Sequence, residues 1–156
     1  MPPNQYTASA PPVIMSEMAL TGPAQAPKMA ATSPNKGTPM QTVVKLPATL
    51  GLDPSTADLD GWVVTEGTPS MKTWALHTSA AGDMVSGIWE CTVGSYHATY
   101  TAYEYVVLIE GRITITPDGG EPVTVKAGDA FVVEPTFKGV WKIEENVRKH
   151  FDFRIK

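Results

Sequence analysis

Short apolar runs, rich in Val, Ile, Thr, Tyr and Trp, recur from about residue 42 to the C-terminus. Gly, Pro or Asp interrupts them about every eight to twelve residues, a spacing typical of β-sandwiches and barrels. No amphipathic segment of helical period follows residue 41. The pattern therefore predicts an all-β domain, with strands at residues 41–46, 61–66, 73–78, 84–92, 95–101, 104–110, 112–116, 122–126, 130–134, 140–144 and 147–155.

Two of these runs differ in how many of their faces are apolar. Residues 112–116 alternate between isoleucine and polar side chains, which predicts one face towards the core and one towards water. Residues 105–109 are apolar throughout, which predicts a central strand covered on both faces. Turn-forming sequences at residues 117–120 and 126–129 predict tight hairpin turns.

The first 40 residues have a different composition. They contain eight of the 14 prolines and five of the seven methionines, but three charged residues and one aromatic residue. Such a segment buries too little apolar surface to offset the entropy that it would lose on ordering. We therefore expect a flexible tail at residues 1–40 and one folded domain at residues 41–156.

Charge and cysteine content narrow the classes of protein to consider. A chain of 156 residues with a net charge of -4 lacks the basic cluster that a nucleic-acid backbone requires. The single cysteine, Cys91, can form neither an intrachain disulfide nor a Cys-x-x-Cys zinc site. No apolar run has the length of a membrane span. We expect a soluble, cytoplasmic protein that binds neither nucleic acid nor membrane.

Two spaced motifs lie within the predicted β-domain. Six residues separate Glu104 from Gly111, and the pair Gly128-Asp129 is followed by an apolar strand and Pro135. This order of residues resembles the two sequence motifs of the cupin superfamily. A finer resemblance, carried by residues 87–94, Trp141 and residues 147–151, is to the short cupins similar to the ureidoglycine aminohydrolase cupin domain.

The resemblance implies a fold and an assembly. The expected fold is a cupin-type double-stranded β-helix, which is a jelly-roll barrel with a small site between its two sheets. The likeness covers residues 55–156 and none of the predicted tail. Since such barrels often pair, we expect a homodimer.

The metal-binding part of the family pattern is incomplete. In either alignment of the first motif at least one His-x-His position lacks a histidine, and residues 138–141 contain none where the second motif expects one. Side chains alternate along a strand, so that His97 points outwards if Ala98 and Tyr100 face the core. We therefore predict no cofactor. The alternative is one divalent transition metal (Mn, Fe, Zn or Ni) bound by His97 and Glu104.

In either alignment, Glu104 matches the glutamate of the first cupin motif. It is predicted to act as a general acid or base, or else to make a structural hydrogen bond to a tyrosine or a backbone amide. Most of the aromatic residues near it are expected to fill the barrel. Tyr100 and Trp141 are predicted to line a small-molecule site together with Glu104.

The basic residues near the C-terminus alternate with apolar ones. This pattern predicts a solvated face of the last strand, formed by Arg148, Lys149, Arg154 and Lys156.

Three functions are compatible with the sequence. The first is a small cupin that binds or transforms a small polar metabolite, such as a nitrogen-containing one, at a degenerate metal site. The second is a metal-dependent aminohydrolase or dioxygenase with an atypical ligand set. The third is a dimeric, non-catalytic interaction module whose tail contacts a partner. Because one fold hosts many chemistries, the resemblance does not choose among them.

Overall fold

Eight antiparallel β-strands provide the regular structure of residues 42–155, which are the residues that the computed structural model describes. No helix in this part of the chain is long and apolar enough to cross a membrane. The predicted tail at residues 1–40 lies outside the described residues. The strands are β1 (Trp62–Glu66), β2 (Met71–Thr78), β3 (Met84–Cys91), β4 (Gly94–Thr99), β5 (Glu104–Pro117), β6 (Val123–Lys126), β7 (Ala130–Val133) and β8 (Lys138–Arg154).

The long strand β8 organises the curled sheet. Strand β5 pairs along one edge of β8, while β4 and then β3 pair along its other edge. Strand β1 extends the sheet beyond β4, and β2 extends it beyond β3. Strand β7 pairs with the first half of β5, and β6 pairs with the second half. The all-β prediction is confirmed, and its runs at 104–110 and 112–116 belong to one strand.

Gly111 lies at the bend of β5. Its φ is +82°, and a Cβ atom there would lie 2.3 Å from the backbone oxygen of Asn146 on β8. The pairing of β5 with β8 is irregular on both sides of this glycine. A residue without a side chain is therefore required where β5 passes from its β7 partner to its β6 partner.

Two of the strand predictions need correction. Residues 42–48 form no strand, and Val43 is 80% exposed, because this apolar run has no neighbouring strand to pair with. Strand β5 is central, since it has neighbours along both edges, but only one of its faces is fully buried. Val106 is fully buried, whereas Tyr105 on the outer face is 40% exposed.

Candidate functional site

A buried ion pair lies inside the curled sheet. The ammonium group of Lys149 donates a hydrogen bond to Glu104 Oε1 at 2.8 Å, and the hydroxyl of Tyr100 donates one to Glu104 Oε2 at 2.8 Å. Lys149 is 1% exposed and Glu104 is 5% exposed. Both oxygens of the carboxylate therefore accept a hydrogen bond from a buried donor.

Strand alternation directs these side chains inwards. Glu104 begins β5 and shares its inner face with Val106, while Lys149 lies on β8 between the buried residues Val147 and Phe151. Tyr100 follows β4, and its backbone N–H and C=O both hydrogen-bond to the turn at residues 136–137, just before β8. The three polar groups thus come from three separate elements.

Aromatic rings surround the ion pair. Lys149 Nζ lies 4.9 Å from the ring centroids of both Trp89 and Trp141, within the range of cation–π attraction. Tyr100 stacks on Trp141 at 6.0 Å, and Trp62 packs against the other three rings at 5.1 to 6.0 Å. We call these four residues, Trp62, Trp89, Tyr100 and Trp141, the aromatic enclosure.

The hydroxyl of Tyr100 is a hydrogen-bond donor at neutral pH. Burial raises the pKa of Tyr100 well above its usual value, and the neighbouring Glu104 carboxylate raises it further. Burial likewise raises the pKa of the Cys91 thiol to about 12, with a smaller contribution from Asp58. Cys91 therefore carries no reactive thiolate at neutral pH.

His97 lies on the opposite face of β4 from the ion pair. Its Nε2 atom is 3.0 Å from an oxygen of Asp118, whereas Ala98 is fully buried. The alternation expected along this strand is therefore present. The structure brings together Glu104, Tyr100 and Trp141, and it does not bring His97 to them.

The buried site does not fit a metal ion. Lys149 places a positive charge 2.8 Å from the carboxylate that would have to bind the ion, and Tyr100 occupies the second oxygen. Within residues 42–155 no group of three or more His, Cys, Asp or Glu side chains is placed to hold a metal.

Lys149 is the site residue that the sequence analysis missed. The prediction that it belongs to a solvated face is wrong, because it is buried while Arg154 is exposed and Arg148 is half-buried. Its position two residues from both Val147 and Phe151 is the signal that places it on the inner face. Grouping it with Arg148 by charge ignored this alternation.

Comparisons with known proteins agree with this architecture. Residues 78–151 match the model of the EutQ-like cupin domain family. The EutQ protein of Clostridium difficile has a similar structure, with 18% identity and a TM-score of 0.51 over 56% of this chain and 64% of that one. A protein of unknown function of the DUF861 family, from Pseudomonas syringae pv. tomato, gives 22% identity and a TM-score of 0.51 over 58% and 44%.

These likenesses concern the fold. The chain spans less than two thirds of both of those structures, and no curated protein matches it. The similarity to ureidoglycine aminohydrolase stays a prediction. The curled antiparallel sheet and the structural neighbours agree with the fold that the two sequence motifs imply, and we conclude that residues 42–155 have a cupin-type fold.

Proposed function

We propose that this cupin domain binds a small polar molecule, of a kind that contains nitrogen, at the Glu104–Lys149 pair and without a metal ion. The observation that carries the proposal is the ion pair itself, enclosed by aromatic rings. Transferring two charges from water to a protein interior is costly, and a well-packed apolar pair is often at least as stable. Stability alone is therefore a weak reason for this pair.

The pair offers both kinds of hydrogen-bonding partner in one place. Glu104 can accept from an N–H group, and Lys149 can donate to a carbonyl or carboxylate oxygen. Tyr100 remains protonated and stacks on Trp141, so that flat, apolar surface lies beside the charges. A small molecule with N–H and C=O groups matches this combination better than a hydrocarbon or a simple alcohol.

We propose that Trp62, one of the four residues of the aromatic enclosure, covers the ion pair and controls access to it. It is 6% exposed, whereas the other four residues of β1 are exposed. Strand β1 pairs with β4 alone, at an edge of the sheet. Because Trp62 is the one buried residue of this edge strand, we infer that a ligand enters when Trp62 moves away.

Thermal stabilisation by a panel of small molecules tests the proposal. The panel contains acetamide, urea, glycine and acetate, and it is applied to the wild type and to the Glu104→Gln/Lys149→Met double variant. The matched control is Arg112→Met/Glu144→Gln, which removes an exposed ion pair of 2.7 Å. We expect at least one compound to stabilise the wild type and the control but not the double variant. A panel without such a compound would contradict the proposal.

A dimeric interaction module is a second candidate, favoured by the outer face of β5 and β7. Tyr105 and Val132 are directly paired there and are 40% and 47% exposed. Two adjoining apolar side chains on a sheet surface suit contact with a second copy of the chain. We expect light scattering to give the mass of a dimer, and Tyr105→Lys/Val132→Lys to give that of a monomer. A monomeric wild type would remove this candidate.

A further inference from the structure

Two buried indole N–H groups in the aromatic enclosure lack a hydrogen-bond acceptor. Trp89 is 1% exposed and Trp141 is fully buried, and no atom of residues 42–155 accepts a hydrogen bond from either Nε1. The exposed Trp74, by contrast, donates from Nε1 to the backbone oxygen of Leu52 at 2.9 Å. Because buried donors in native proteins almost always have a partner, two such orphans beside one ion pair point to a missing acceptor.

The interior contains more donors than acceptors. Tyr100, Lys149 and the two indoles all carry donor groups, whereas the acceptor among these side chains is the Glu104 carboxylate. Each of its oxygens already accepts one hydrogen bond. A lysine ammonium has three N–H groups, and one of them is used by Glu104. A molecule that completes the centre must therefore supply at least one oxygen acceptor.

Charge selects among the possible acceptors. Glu104 and Lys149 together are neutral, so that a bound carboxylate would leave the buried centre with a net negative charge. An unpaired charge is far more costly to bury than a neutral polar group. The oxygen of a neutral carbonyl group accepts hydrogen bonds from indole N–H groups without adding charge.

We propose that the indole N–H groups of Trp89 and Trp141 form a subsite for the carbonyl oxygen of a small, uncharged molecule such as an amide. This inference rests on the proposed function and narrows its ligand class. The two rings lie 6.4 Å apart at an angle of 77°, and both flank the ammonium group of Lys149. The subsite therefore adjoins the ion pair.

Nuclear magnetic resonance of the indole groups tests the subsite. The chain has four tryptophans, and the signals of Trp62 and Trp74 are identified by their loss in Trp62→Phe and Trp74→Phe. The two remaining indole signals belong to Trp89 and Trp141, so they are identified without replacing either residue. The probes are acetamide and acetate, which have nearly the same shape and differ in charge.

We expect acetamide to shift both remaining signals in a saturable way, and acetate to leave them in place. Replacing Trp89 or Trp141 by Phe keeps an aromatic ring but removes the donor, and should weaken acetamide binding about tenfold, whereas Trp74→Phe should not. Equal or stronger shifts with acetate would refute the charge argument.

Signals that respond to neither probe but exchange with water would show a subsite filled by water only, and would overturn this inference. The proposed function would survive that result if another compound of the panel still bound through the Glu104–Lys149 pair. Indole shifts with acetamide that persist in Glu104→Gln/Lys149→Met would instead separate the subsite from the proposed function.

Discussion

Replacing Lys149 by methionine leaves the Glu104 carboxylate buried without its counter-charge. Methionine keeps an unbranched apolar stem between Trp89 and Trp141, so that little packing is lost. The variant does lose the 2.8 Å ion pair and the two cation–π contacts at 4.9 Å. Its effect on stability therefore measures mainly the cost of an unpaired charge.

The structure sets the size of the expected loss. Lys149 and Glu104 are almost fully buried, so solvent screens their attraction little. Removing one partner of such a pair typically costs about 3–5 kcal/mol of unfolding free energy. Since a domain has about 5–15 kcal/mol of stability in all, Lys149→Met should lose a large fraction of it.

The double variant separates charge from packing. Glu104→Gln/Lys149→Met removes both charges, and we expect it to recover most of the stability that Lys149→Met loses. Urea unfolding, followed by tryptophan fluorescence and circular dichroism, gives the free energies from the midpoints and slopes. Arg112→Met, which breaks an exposed ion pair, should change the free energy by about 1 kcal/mol or less. A Lys149→Met variant as stable as Arg112→Met, or a double variant no more stable than Lys149→Met, would refute the reasoning.

Three further predictions concern a thiol, a glycine and the covering tryptophan. Burial raises the pKa of Cys91 to about 12 in the folded chain, against 9.0 for a free thiol, so its contribution to stability is complete below pH 9. Above that pH it declines by about 1.4 kcal/mol per pH unit, and urea unfolding of Cys91→Ala should show a shallower decline than the wild type. Gly111→Ala forces a side chain at positive φ against Asn146, and should lower the melting temperature more than alanine at the open, positive-φ Gly119 does. Trp62→Ala should cost about 3–5 kcal/mol, and added indole should restore part of the loss in the variant but not stabilise the wild type; equal indole effects on both proteins would contradict the covering role.

Local patterns predicted most of the strands and which of their side chains face the core. The alternation at residues 112–116 correctly predicted that Ile113 and Ile115 are buried. It did so because the two-residue period of a strand is a local property that any single strand expresses. The predicted break near Gly111 was a bend inside one strand, since glycine ends a strand or bends it according to what lies opposite.

The sequence by itself predicted the fold class and singled out Glu104, and strand alternation predicted that Tyr100 and His97 point in opposite directions. Only the tertiary structure decided that Lys149, 45 residues further along the chain, is the partner of Glu104 and that Trp62 packs against Tyr100 and Trp141 beside them. Alternation states on which side of a strand a residue lies, but not which distant strand will be its neighbour. That choice depends on how the curled sheet closes around its core. For this reason Lys149, whose polar sequence neighbours are typical of a surface strand, is a buried charge.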